Sequence, residues 1–208
     1  MFINTGLEFY VKKAVSNGSS IYNERKQMLE SFADTLSRRL KQKAQANLIF
    51  ICTHNSRRSH FAQIWAQVAA YYFGVKGIYT FSGGTETTAL NERAVRALKD
   101  IGFDISSGAG SNPVYGIKYS EEAPLLEAFS KKFEETPNPK FDFYAVMTCS
   151  DVDETCPLVP GALERIPLYY LDPKEADNTL EEATRYEERC FQIAIEMFYL
   201  FGSISKQL

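Results

Sequence analysis

The chain has 208 residues, room for one sizeable α/β domain with some decoration. Apolar residues at 45% and charged residues at 24% argue against disorder, and 23 Lys and Arg against 26 Asp and Glu, a net charge of −3, argue against a protein that coats nucleic acid. No apolar stretch approaches the roughly 20 residues of a membrane span, and the start of the chain lacks the basic and apolar segments of a signal peptide. A cytoplasmic protein is therefore expected, with no membrane or nucleic-acid partner.

Residues 1–45 read as a helical extension. Ile21, Met28, Leu29, Phe32, Leu36 and Leu40 recur at three- and four-residue steps, with Glu24, Arg25, Lys26 and Arg38 between them. Asn17-Gly18-Ser19-Ser20 separates this helix from a shorter one at 7–15. Packing, or a dimer surface, is the role expected of this extension, and no chemistry. The main domain is expected over 46–208. Its first strand is the continuous apolar run 47–51, which has the character of a strand buried on both faces and ends at Cys52. A helix begins at Ser59, with Phe61, Ile64, Trp65, Val68 and Tyr72 inward, and stops before Gly74. His60 is expected on its surface.

A second strand is expected at 77–81 and a helix at 91–101, stopped by Gly102. Residues 108–141, punctuated by glycines and prolines, read as an insertion around a short helix near 124–133. Strands follow at 144–148 and 165–171. Thr179-x-x-Glu182 has the form of a capping box and opens a last helix through Phe201, which carries Cys190 on its apolar face as a core residue. Alternating strands and helices predict a parallel sheet with helices on both faces.

Four cysteines, at 52, 149, 156 and 190, do not make a disulfide scaffold in a chain of this length. No cofactor is implied, and with only His54 and His60 to join them their spacing does not fit a zinc site. The informative stretch is Cys52-Thr53-His54-Asn55-Ser56-Arg57-Arg58-Ser59, between a buried strand and a helix. Such a loop turns backbone N–H groups inward and adds the positive end of the helix dipole, which makes a cradle for a tetrahedral oxyanion. The same donors favour a thiolate at its base. Arg58, six residues on, supplies a planar fork that a lysine lacks. Asn55 tolerates left-handed backbone, and Ser59 offers a hydroxyl to the sulfur. A cysteine at a strand end is also a common inert core residue; its place between this strand and this helix, followed by Ser59, favours the nucleophile.

These residues resemble the phosphate loop of the low-molecular-weight protein tyrosine phosphatases and of the thioredoxin-coupled arsenate reductases built on the same fold. Phe81-Ser82-Gly83-Gly84-Thr85-Glu86, Leu90-Asn91-x-x-Ala94-Val95 and Gly102-Phe103-Asp104-Ile105-Ser106 are similar to the next family segments. The resemblance covers about 47–107 and 142–202. It implies a three-layer α/β sandwich with a four-stranded parallel sheet, and Asp172, before Pro173, as the general acid. Taken alone, Asp-Pro is most often a turn. Two departures lie in the loop: His54 stands where these families usually have Gly, and Arg57 where a second cysteine is frequent. His54 is expected to strain the backbone or to shape what enters, and Arg57 to add charge at the mouth. Tyr169 and Tyr170 either line an entrance or pack.

Cys149-Ser150-Asp151-Val152-Asp153-Glu154-Thr155-Cys156-Pro157 follows the strand at 144–148. The arsenate reductases carry a cysteine pair here, with this spacing and a following Pro, and the resemblance implies a relay from Cys52 through Cys149 to Cys156, recharged by thioredoxin. Seven residues of regular helix span about 10.5 Å, while bridged cysteines need Cα atoms about 4.4–6.8 Å apart. The segment must therefore loop or unwind when oxidised. Other readings of the pair are two unrelated structural cysteines or a redox switch in a phosphatase. Arsenate reduction is thus the leading expectation, followed by hydrolysis of phosphomonoesters through a phosphocysteine. A non-catalytic phosphate sensor ranks third.

Overall fold

The computed structural model describes residues 3–150 and 158–208. Helix α1 (Thr5–Ser16), one 3-10 turn and helix α2 (Asn23–Lys43) lead into β1 (Ala46–Cys52), α3 (Arg58–Tyr72), β2 (Ile78–Gly84) and α4 (Glu92–Asp100). Then come β3 (Asp104–Ser107), β4 (Tyr115–Lys118), β5 (Leu126–Ala128), β6 (Phe143–Met147), β7 (Ala162–Pro167), a second 3-10 turn (Pro173–Ala176) and the long helix α5 (Glu182–Gln207).

Strands β2, β1, β6 and β7 form a four-stranded sheet in that order, parallel throughout. The register sets Cys52 beside Gly84 and Ile51 beside Met147. The expected four-stranded parallel sheet is therefore the one found. The apolar run of β1 is explained by a core on each face. Leu48 and Phe50 join the large cluster with α1, α2, α3 and α5, while Ile49 and Ile51 join a smaller one with Met147, Cys149 and Val159. The chain leaves β1 for β2 on one side and later returns to β6 on the other. The strand order thus reverses at the carboxyl end of β1, where parallel sheets open a crevice.

Three expectations are corrected. Residues 124–133 hold no helix: β5 lies there and pairs antiparallel with β4, which pairs with β3. Pairing decides the outcome here: the ladder buries Ile105, Tyr115, Ile117 and Ala128. The last strand of the parallel sheet stops at Pro167 rather than running to 171. Thr179 and Glu182 do not close a regular capping box. The Thr179 hydroxyl accepts from the Glu181 N–H, and Glu182 accepts from the Asn178 N–H while pairing with Arg93. Those contacts hold Glu182 below the usual carboxylate range, the Asn178 N–H most of all.

α2 is amphipathic as read, with Leu29, Phe32, Leu36 and Leu40 buried. Arg25, placed by the sequence reading among the polar residues, is buried as well. It stands four residues before Leu29 and so continues the apolar stripe. Among the described residues no helix is long and apolar enough to cross a membrane.

Candidate functional site

Cys52 ends β1, and Arg58 opens α3, so the loop between them sits at the switch point of the sheet. Cys52, His54, Ser56, Arg57, Arg58 and Asp172 line one small pocket. The Cys52 sulfur is 3.1 Å from the Ser59 hydroxyl, which also accepts from the Asn55 side-chain amide at 2.9 Å. Nη1 of Arg58 donates to the Tyr170 carbonyl at 2.9 Å and Nη2 to Asp172 Oδ2 at 2.7 Å. Its Nε is buried and has no hydrogen-bond partner among the described residues. Of the five N–H donors of the guanidinium, two thus tie the loop to the segment after β7, and the Nε–H is among those left over for an anion. Asp172 also caps the 3-10 turn by accepting from the Lys174 N–H.

The left-handed residue of the loop is Asn55, at φ +44°; His54 carries no positive φ, so the strain expected of it is absent. An asparagine suits this position because its short polar side chain bonds locally. Here it bonds twice: the amide nitrogen reaches Ser59, and Oδ1 accepts from the Lys131 N–H at 2.9 Å. His54 is half-exposed and 3.5 Å from Glu86. Arg57 adds no free charge at the mouth. Its guanidinium bonds the Tyr186 hydroxyl at 2.7 Å and the Asp177 carboxylate at 3.3 Å, and the carboxylate offsets its charge. Ser56 is held through its hydroxyl by the Ala89 carbonyl, and the Thr53 carbonyl accepts from the Glu86 N–H.

His60 corrects the sequence reading most sharply. It is fully buried, with Nε2 2.9 Å from the Asn55 carbonyl and Nδ1 3.2 Å from the Ser82 hydroxyl. Because a carbonyl only accepts, Nε2 carries the proton and Nδ1 accepts from Ser82. Burial, aided by nearby Lys131, pushes its pKa down to about 3, so the ring is neutral at physiological pH. His60 is a pin beneath the loop, not a surface residue. The signal was available: α3 is apolar nearly all round, and such a helix buries its polar residues too.

Residues 130–133 complete the cradle from the edge of β2. The Ser130 hydroxyl donates to the His54 carbonyl, the Lys131 N–H to Asn55, and Gly84 exchanges backbone bonds with Lys131 and Phe133. This close approach needs Gly83 and Gly84. A Cβ on Gly83 would lie 2.4 Å from Phe133 Cα, and one on Gly84 would lie 2.6 Å from the Thr53 carbonyl oxygen. The Lys131 side chain is buried, and burial pushes its pKa down to about 8. No sequence motif announced this segment.

Cys149 follows β6, buried in the same small cluster as Cys52, and its sulfur is 3.7 Å from the Thr53 hydroxyl. Cys156 lies outside the described residues. Cys190 is a core residue as expected, accepting from the Trp65 indole, and burial pushes its thiol up to about 12. Tyr170 packs inward, whereas Tyr169 is partly exposed.

A parallel sheet with a Cys-x5-Arg-Ser loop at its switch point defines the class of cysteine-dependent enzymes that act on tetrahedral oxyanions. No family model matches the chain. It is 30% identical over 152 residues to an arsenate reductase of Staphylococcus aureus (strain Newman), covering 73% of this chain and 94% of that protein. It is 29% identical over 142 residues to the arsenate reductase of Bacillus subtilis (strain 168), covering 68% and 84%. A crystal structure of a low-molecular-weight phosphotyrosine phosphatase from Vibrio cholerae O395 superposes with a TM-score of 0.51 at 14% identity, over 78% of this chain and 98% of that one, and shows the shared fold. The chain belongs to the arsenate reductase family, and it shares the fold of a low-molecular-weight phosphotyrosine phosphatase.

Proposed function

We propose that this enzyme reduces arsenate to arsenite, with Cys52 as nucleophile and Cys149 and Cys156 as the relay. The Cys52 thiolate attacks arsenic(V), a sulfur–arsenic bond forms, and the oxygen that leaves is protonated by Asp172 and departs as water. Arg58 and the amides of residues 53–59 hold the remaining oxygens. Cys149 then attacks the Cys52 sulfur, and the sulfur–arsenic bonding pair stays on arsenic, which leaves as arsenite. Cys156 attacks Cys149 and frees Cys52 as a thiol. The Cys149–Cys156 disulfide is reduced by a dithiol protein, thioredoxin, in the cytoplasm, where thiols are kept reduced.

The observation that carries this reading is the burial of Cys149 beside the phosphate loop, against Thr53 and in one cluster with Cys52. Phosphomonoester hydrolysis needs Cys52, Arg58 and Asp172 but no second thiol. The experiment compares Cys149→Ser and Cys156→Ser with the parent protein, supplied with thioredoxin and its reductase. Both variants should lose arsenate turnover while keeping any hydrolysis of an aryl phosphate. Arsenate turnover at the parent rate in either variant would refute the relay.

A further inference from the structure

The segment that carries Asp172 has left the sheet: β7 ends at Pro167, five residues earlier. The Leu168 and Tyr170 N–H groups still bond back, to the Met147 and Thr148 carbonyls. From the other side the segment is held by Arg25, a residue of α2. Its Nε and Nη2 donate to Glu196 Oε2 on α5 at 3.0 and 2.9 Å, and Nη2 also donates to the Tyr169 carbonyl at 3.1 Å. The Tyr170 hydroxyl donates to the same Glu196 oxygen at 2.7 Å, and the Arg25 guanidinium lies 5.0 Å from the centre of the Tyr170 ring. The other Glu196 oxygen accepts from Gln192. Arg25, Tyr170 and Glu196 are each at most 5% exposed.

A buried ion pair is a poor way to gain stability, because both charges must be taken out of water. What this one supplies is direction. A planar guanidinium bonds a carboxylate with one edge and still has an N–H for a backbone carbonyl. That carbonyl belongs to Tyr169; the next one along, of Tyr170, receives Arg58; and Arg58 in turn bonds Asp172. A continuous chain of contacts therefore runs from the N-terminal extension to both the anion-binding arginine and the acid.

We infer that Arg25 is a positioning residue, which sets residues 169–172 so that Asp172 meets the leaving oxygen over Cys52. The inference deepens the reading above, since it takes Asp172 as the acid. It gives the N-terminal helices a part in the reaction. Displacements of about 1 Å in a supporting residue cost up to about a hundredfold in rate, and a lysine at this position would retain the charge opposite Glu196 while losing the fork.

The test is a double-mutant cycle of Arg25→Lys and Asp172→Asn, read as kcat/KM for arsenate with excess reductant and accompanied by the melting temperature. Arg25→Lys should cost about tenfold alone and less than about twofold when Asp172 is already Asn, because residues acting as a unit are not additive. The same factor in both backgrounds, or no loss in either, would overturn the inference. Absence of arsenate turnover in the parent protein would refute the proposed reaction but not this arrangement, and the cycle is then read on p-nitrophenyl phosphate hydrolysis. Amide exchange decides independently of either reaction. Arg25→Lys should speed exchange at Tyr170 about tenfold and leave Ile51 unchanged; unchanged exchange at Tyr170 would overturn the inference.

Discussion

The two stretches that the family resemblance leaves out reach the site from opposite edges of the sheet. Residues 130–133 brace the loop from Cys52 to Ser59 at the β2 edge, and α2 braces the segment that carries Asp172 beyond β7. The first brace is a set of short neutral contacts: Ser130 to the His54 carbonyl, Lys131 to Asn55, Gly84 to Lys131 and Phe133. The second concentrates on one buried carboxylate, Glu196, which receives Arg25, Tyr170 and Gln192. The difference teaches that redundancy is distributed unevenly. Deleting one neutral contact leaves the others in place, whereas deleting Glu196 unpairs a buried cation.

That contrast orders the expected effects. Glu196→Gln should destabilise most, by about 3 kcal/mol, because Arg25 loses its counter-ion in a site closed to water; urea unfolding measures it, and a loss below about 1 kcal/mol would break the contrast. Asn55→Ala comes next, at about 2 kcal/mol, since it removes two buried hydrogen bonds and the residue suited to φ +44°; a fall in phosphate affinity should accompany it in a titration. Ser130→Ala should be the mildest, about 1 kcal/mol or less, with activity nearly retained.

His60 sharpens the β2-edge brace through pH. Folded His60 stays neutral down to about 3, while an unfolded histidine takes a proton near 6.5. Between those values the unfolded state binds more protons, so stability is full above about 6.5 and falls as the pH is lowered, by roughly 1 kcal/mol per unit. His60→Gln should be less stable at pH 7 and show a flatter acid limb. An equally steep limb in the variant would show that the ring is not held neutral by burial.

The first strand, the loop from Cys52 to Ser59 and the helix after it were legible because they are local. An apolar run, a Cys-x5-Arg-Ser loop and an apolar helix follow one another within residues 47–72 and specify strand, turn and helix with little help. The braces were not legible, because each joins residues far apart in the chain. Arg25 meets Glu196 171 positions later, and Asn55 meets Lys131 76 positions later. The polar character of Arg25 and His60 suggested solvent, and only their positions on apolar stripes hinted otherwise. Residues 124–133 misled for a related reason: a short strand of three residues carries too few positions to display its alternation, and its partner β4 decides the outcome.

The most direct test of the central claim is a thiol count. Fully reduced protein, which has four cysteines, is exposed once to arsenate with no other reductant, and the thiols are counted and the disulfides mapped. The relay predicts loss of two thiols, with the new bond joining Cys149 to Cys156 and Cys52 returned as a thiol. Retention of all four thiols, in protein that still hydrolyses an aryl phosphate, would contradict it and leave Cys52, Arg58 and Asp172 as the apparatus of a phosphatase.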